Sequence, residues 1–195
     1  MQHNGGVPAL IPVDLPTTPA LVLRGRRFDA GRPAVMAIVN RTRDSFFVTA
    51  GADALEPALD ALAAAVASGA DIVDVGGVRA GQEGEWVDVS TEVARVRPFL
   101  EAARERFPDL VLSLDTWRTE VVDACRDAGV DLVNDTWAGA DPDLVHAAAE
   151  LGAGYVVSHT GGLPPRTDPV DVSYGDDPDD VVRSVLEGLA EGAAR

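Results

Sequence analysis

Asp115 and Asn134 are the two residues whose type and spacing could do chemistry in this chain. Each closes a short apolar run, VLSL before the carboxylate and LV before the carboxamide. Between them Val121, Val122, Cys125 and Ala128 recur at helical spacing, and Gly129 stops the pattern. Two strands joined by one helix lie parallel, because the crossover carries the chain back to the same end of the sheet. The spacing therefore predicts a carboxylate and a carboxamide side by side at the carboxyl ends of neighbouring strands, where α/β proteins place ligands. Asn40, Asp74 and His159 close three further apolar runs. A lone polar residue at such a position is readily explained as a cap on the next helix, whereas the pair is not. Asp74 and Asp135 read as buried hydrogen-bonding residues that order loops, and His159 suits a structural role on the rim as well as a ligand contact. His146, on a predicted helix, and His3, near the start, have no metal-ligand neighbour at useful spacing.

The elements that must position this pair follow from the rest of the pattern. Residues 1 to about 20 carry Gly, Pro and Thr without periodicity and read as a flexible leader, leaving 21–195 as the folded unit. LVLRGRRF at 21–28 reads as two short strands around Arg24-Gly25. An apolar strand at 35–39 ends on Asn40, and the polar loop RTRDSFFVTAGAD precedes a helix marked by Leu55, Leu59, Leu62 and Val66. From Gly69 the plan repeats: GADIVD at 69–74 and GVDLVN at 129–134 each place a helix-stopping Gly, an Asp, an apolar strand and a polar residue. LGAGYVVSH, ending at His159, is a looser copy. Val93, Val96, Leu100 and Phe107 mark a helix after Ser90-Thr91. Asp141-Pro142 and Asp177-Pro178 each predict an N-cap followed by proline at the first helical position. The carboxylates around Asp177 read as a solvated cap favoured by the helix dipole.

Five strand–helix units with polar strand ends on one rim and amphipathic helices outside leave two architectures, a doubly wound sheet or a (β/α) barrel. No Gly-x-Gly-x-x-Gly follows the first strand, which weighs against dinucleotide binding. The expected fold class is α/β, a TIM (β/α)8-type barrel that is incomplete, with about five units present.

Composition narrows the function classes. A net charge of −16 excludes a basic surface for nucleic acid or anionic membrane. No apolar run approaches the roughly 20 residues that span a bilayer, and the start lacks the charged-then-apolar order of a signal peptide, so the expected location is cytoplasmic. All sixteen basic residues are Arg, which removes Schiff-base and lysine acid–base chemistry from these residues. The single Cys125, on an apolar helix face, reads as a buried inert thiol.

At residues 35–51, VMAIVNRTRDSFFVTAG, the chain resembles the opening signature of dihydropteroate synthase, the pterin-binding (β/α)8 enzyme of folate synthesis. DIVDVGG at 71–77, SLDTWRTEVVDACRDAG at 113–129, NDTWAG at 134–139 and the fifth strand with its His159 extend the resemblance in register from about Leu21 to Thr167. The family condenses a dihydropterin pyrophosphate with p-aminobenzoate and releases pyrophosphate. The resemblance implies that Asn40 helps bind Mg2+ and the pyrophosphate, and that Asp115 and Asn134 hold the pterin ring. It also implies that Thr42, Asp44, Ser45 and Phe46 belong to the p-aminobenzoate loop. A carboxylate accepts two donors of a pterin edge, while a carboxamide donates and accepts. In the catalytic role implied for it, Asp115 stabilises the cationic character that grows on the pterin as pyrophosphate leaves. The resemblance further implies a homodimer.

The chain also departs from that pattern. Arg43 stands where the family has proline, Phe47-Val48-Thr49 replaces Ser-Asp-Gly, and after Gly76-Gly77 the family continues Glu-Ser-Thr-Arg-Pro-Gly whereas this chain has Val78-Arg79-Ala80-Gly81. Arg43 and Arg79 are therefore added cations near the expected anionic leaving group. The 195 residues correspond to the N-terminal five of eight barrel units, and the family's Lys, Arg and His from the later strands have no counterpart in them. The expectation is a divergent dihydropteroate synthase homologue that is inactive through these residues alone. A non-catalytic pterin- or phosphate-binding paralogue is the alternative, and a pterin-dependent methyltransferase domain is a third reading that the loop sequence TRDSF disfavours.

Overall fold

The computed structural model describes residues 20–41, 55–79, 86–161, 163–166, 172–175 and 177–194. The expected leader lies outside them. Two short antiparallel strands come first, β1 (Leu21–Leu23) and β2 (Arg26–Phe28). Their two-residue turn has positive φ at both Arg24 (48°) and Gly25 (72°), the twist a tight hairpin needs.

Five parallel strands follow: β3 (Met36–Asn40), β4 (Ile72–Gly76), β5 (Val111–Asp115), β6 (Leu132–Asp135) and β7 (Gly154–Val157). Their order in the sheet is their order in the chain. A doubly wound sheet reverses direction at a switch point, and none occurs among these strands, an order consistent with successive units of a partial barrel. The helices α1 (Leu55–Ala67), α2 (Val89–Arg106), α3 (Thr119–Ala124) and α4 (Leu144–Leu151) pack in sequence over one face. The last helix, α5 (Pro178–Ala194), lies against β7, where Gly192 leaves room for Val157. Among the described residues no helix is long and apolar enough to cross a membrane.

Strand alternation divides the residues between two faces. Val73, Val75, Leu112, Leu114 and Val133 meet Leu59, Leu62, Val96, Phe99 and Val121 of the helices in the main core. Ile72, Val111 and Leu132 point the other way and pack on Leu23 and Phe28 of the hairpin, which therefore covers the lower end of the inner face. Each fully buried large side chain contributes roughly 1.5–3 kcal/mol.

The repeated Gly-x-Asp motif acquires a physical role here. Asp71 accepts from Arg26 and from Arg32, the latter at 3.5 Å. Asp131 accepts from Arg24 at 3.1 Å and from Arg104 at 2.6 Å. Both repeats thus place a carboxylate at the foot of a strand, where it binds an arginine of the hairpin.

Several expected boundaries shift. The helix expected after Ser90-Thr91 begins at Val89, because Asp88 is its cap and accepts from the Thr91 N–H at 2.7 Å. α3 ends at Ala124, and residues 125–129 continue as turns to Gly129, whose φ is +82°. Asp141 lies ahead of the cap position of its helix, which starts at Leu144 with Asp143 as the cap residue. Its carboxylate accepts the Asp143 N–H at 3.1 Å in the turn before that helix and also the Thr119 N–H at 2.8 Å, so it caps α3 from a neighbouring loop. Asp177-Pro178 opens α5 as expected, with Asp177 accepting from Asp179 N–H at 2.9 Å. Asp74 is not at a strand end either, since β4 continues two residues beyond it to Gly76.

Candidate functional site

Sheet register sets the site. Asn40 lies opposite Gly76, Gly76 opposite Asp115, and Asp115 opposite Asn134. These four residues form one rung across β3 to β6, on the inner face and at the carboxyl ends of the strands. The expected pairing of carboxylate and carboxamide is therefore present, with Asn40 on the same rung and exposed. Gly76 is what lets Asp115 lie flat on the sheet: a Cβ there would sit 2.9 Å from Asp115 Oδ2.

Below this rung Asp74 pairs in register with Ser113. The Asp74 carboxylate, 2 % exposed, accepts from the Ser113 hydroxyl and from Asn134 Nδ2 at 3.1 Å. That contact orients Asn134, because an acceptor below it must face the NH2 end of the amide, which turns the carbonyl oxygen toward the open side. Burial raises the Asp74 pKa, and the two hydrogen bonds oppose the shift.

Asp115 is held from the other side. Thr136, two residues beyond Asn134 and on the same face, donates its hydroxyl to Asp115 Oδ1. Burial pushes the Asp115 carboxyl up to about 7, against the Thr136 hydrogen bond, and the nearby carboxylates Asp74, Glu92 and Asp135 push it in the same direction as burial. At neutral pH the group stands between its acceptor and donor forms. The expectation that Asp115 offers two oxygens to a ligand is thus reduced, since Oδ1 already has an internal donor.

The rim beside Asp115 is anchored in the core. Thr116 and Arg118 each donate at 2.6 Å to Glu92, which is fully buried on α2. Burial still raises the Glu92 pKa. The Arg118 guanidinium lies 4.5 Å over the Trp117 ring.

Other candidates fall elsewhere. Asp135 faces the helices and orders the loop after β6, accepting from Trp137 N–H at 3.0 Å and the Tyr155 hydroxyl at 2.6 Å. His159 also faces α5, with Nε2 at 3.1 Å from the Tyr174 hydroxyl and 3.4 Å from Ser184 Oγ. A cavity of about 520 Å3 lies on that side, lined by Trp137, Tyr155, His159 and Glu187, and neither Asp115 nor Asn134 borders it. Thr42, Arg43, Asp44, Ser45 and Phe46 lie outside the described residues. Arg79 is exposed just beyond β4.

Two inner-face residues, Asp74 and Thr136, join the site without having been singled out as site residues from the sequence. The available signal was phase: each lies two positions from a rung residue, Asp74 from Gly76 and Thr136 from Asn134, and so shares its face.

The donor set does not make a Mg2+ site by itself. Mg2+ is ordinarily held by carboxylates together with substrate phosphates and water. The rung offers neutral amide oxygens from Asn40 and Asn134 and a carboxyl at Asp115 that titrates at about 7 and is engaged by Thr136. Among the described residues no group of three or more His, Cys, Asp or Glu could hold a metal ion.

Comparison with known proteins agrees with this geometry. The model of the family described as pterin binding enzyme matches residues 36–194. A Mycobacterium leprae protein named inactive dihydropteroate synthase 2 is 51% identical over 174 residues, covering 89% of this chain and 60% of its own length. A Streptococcus pyogenes dihydropteroate synthase is 37% identical over 136 residues, covering 69% of this chain and 51% of its own. The Yersinia pestis dihydropteroate synthase, solved with a sulfonamide drug, superposes with a TM-score of 0.75 at 31% identity, covering 90% of this chain and 63% of that one. The chain therefore spans half to two thirds of the length of these relatives.

Proposed function

The chain belongs to the pterin-binding enzyme family, and from that premise we propose that it is a dihydropteroate synthase paralogue that holds a pterin on the rung of Asn40, Asp115 and Asn134 without turning it over. The observation that carries this reading is the register pairing of Asp115 with Asn134 above Gly76, open on the inner face. Asp115 accepts an N–H of the pterin edge through Oδ2, and the Asn134 carbonyl accepts a neighbouring one. Asp115 titrates at about 7 and is only partly ionised at neutral pH, so its ability to support growing positive charge on the ring is incomplete there. The 51% identical relative carries the name of an inactive synthase. The altered residues Val78 and Arg79 stand where the family's second loop begins. A Mg2+ contact at Asn40 would depend on oxygens brought by the pyrophosphate, and p-aminobenzoate would depend on the loop of Thr42, Asp44, Ser45 and Phe46.

The test combines binding and turnover. Quenching of 6-hydroxymethylpterin fluorescence should saturate with the wild-type chain, and Asp115→Asn should weaken it by roughly tenfold or more, as expected for loss of a charge-assisted contact. Incubation with dihydropterin pyrophosphate, p-aminobenzoate and Mg2+ should yield no dihydropteroate. Product would restore the synthase reading, and absence of any pterin binding would remove both.

A further inference from the structure

Among the described residues, the Asp115 carboxylate is held in place by one side-chain hydroxyl, which follows directly on the strand carrying its partner. Asn134 and Thr136 are two residues apart and share the inner face, so the chain presents a ligand-facing amide and, one step higher, the hydroxyl that binds Asp115 Oδ1. Oδ2 is then directed over Gly76, where the missing Cβ makes room for it. We propose that Thr136 is a positioning residue of the pterin site: its hydroxyl occupies Oδ1, fixes the rotation of the carboxylate, and reserves Oδ2 as the oxygen that meets the ligand. The inference rests on the proposed pterin site but concerns a contact within the chain that can be read without ligand.

The charged surroundings make this hydroxyl consequential. The titratable groups near enough to act on Asp115 are Asp74 beside it on the inner face and, through the sheet, Glu92 from α2 and Asp135 from β6, all carboxylates that oppose its ionisation. Arg118, the cation nearest Glu92 in the rim network, is already paired with it at 2.6 Å. Thr136 is the hydrogen-bond donor to the Asp115 side chain among the described residues, and its contact favours the charged, accepting form. Without it, Asp115 stays protonated to higher pH and can turn an O–H toward the ligand, where a pterin's amino and ring N–H groups require an acceptor.

The experiment compares wild type with Thr136→Val, which removes the hydroxyl at nearly constant shape, and Thr136→Ser, which restores it. Thr136→Ala repeats the comparison at smaller volume if valine is not accommodated. The Asp115 carboxyl is followed by 13C NMR, assigned by its loss in Asp115→Asn, and 6-hydroxymethylpterin affinity is followed from pH 5 to 9. The expected result is an Asp115 midpoint raised by about one pH unit in Thr136→Val, a roughly tenfold change, with pterin binding moved to higher pH in parallel and Thr136→Ser resembling wild type. An unchanged Asp115 midpoint in both Thr136→Val and Thr136→Ala would overturn the proposal. If no variant binds the pterin while the midpoint still moves, the proposed function fails and the positioning contact stands.

Discussion

Replacing Asp115 with asparagine should make the folded chain more stable, and only above a defined pH. The group titrates at about 7 when folded, through burial first and neighbouring carboxylates second, against about 3.9 in an unfolded chain. Its folded form holds a proton that the unfolded form has lost. Unfolding stability is therefore unaffected by this group below about pH 4 and declines by about 1.36 kcal/mol per pH unit as pH rises toward 7, then levels off. Three pH units give about 4 kcal/mol as an upper figure, and relaxation of the coupled carboxylates brings the expected gain to about 2–4 kcal/mol at pH 8. Asparagine is isosteric, keeps an oxygen for the Thr136 hydroxyl and carries no charge at any pH. Urea denaturation followed by circular dichroism at pH 5, 6, 7 and 8 measures the difference between the two proteins. It should be smallest at pH 5 and grow to its full value by pH 8. A difference that stays constant over that range would refute the argument that burial opposes ionisation at this position.

Three other outcomes follow from the same geometry. Gly76→Ala drives a Cβ to 2.9 Å from Asp115 Oδ2, so pterin affinity should fall at least tenfold while stability drops by only about 1–3 kcal/mol, measured by fluorescence titration and urea melts. Arg118→Met leaves the fully buried Glu92 without its cation, which should cost about 3–5 kcal/mol in urea denaturation, and adding Glu92→Gln should recover most of it. Because the unpaired Glu92 has a folded pKa above its unfolded one, the single variant should regain stability as pH falls. Cys125, fully buried and pushed up to about 11 by burial, should resist a thiol reagent at pH 8 in the native chain and react promptly in urea, and equal rates in the two conditions would show that the thiol is open.

Much of the fold was legible along the chain because it is written in local signals. The hairpin around Arg24-Gly25 follows from turn chemistry. The strand–helix alternation follows from hydrophobic period, and the nearness of Asp115 to Asn134 follows from one crossover connection. Asp141 shows where such reading stops. Its Asp-Pro pattern fits a contact at the start of its own helix, where it accepts the Asp143 N–H, yet its second oxygen takes the Thr119 N–H on another element, which no local pattern shows. The arginine sockets at Asp71 and Asp131 are of the same kind, visible in sequence as a repeat but given their partners only when the hairpin folds against the strand feet.

The sequence by itself determined the element types, the parallel sense of the strands and the residues able to form hydrogen bonds at their ends, since each depends on neighbours within about a helix of chain. Tertiary structure decided the strand order, sequential and without the reversal of a doubly wound sheet. It also placed Asn40 on the rung of Asp115 and Asn134 through two intervening strand pairings. The state of Asp115 was settled in the same way. Its chemistry depends on removal from water and on the carboxylates of Asp74, Glu92 and Asp135, brought together from separate strands and a helix. Electrostatics acts through space and not along the chain, so the property that most affects what this carboxylate can do becomes defined only once the chain is folded.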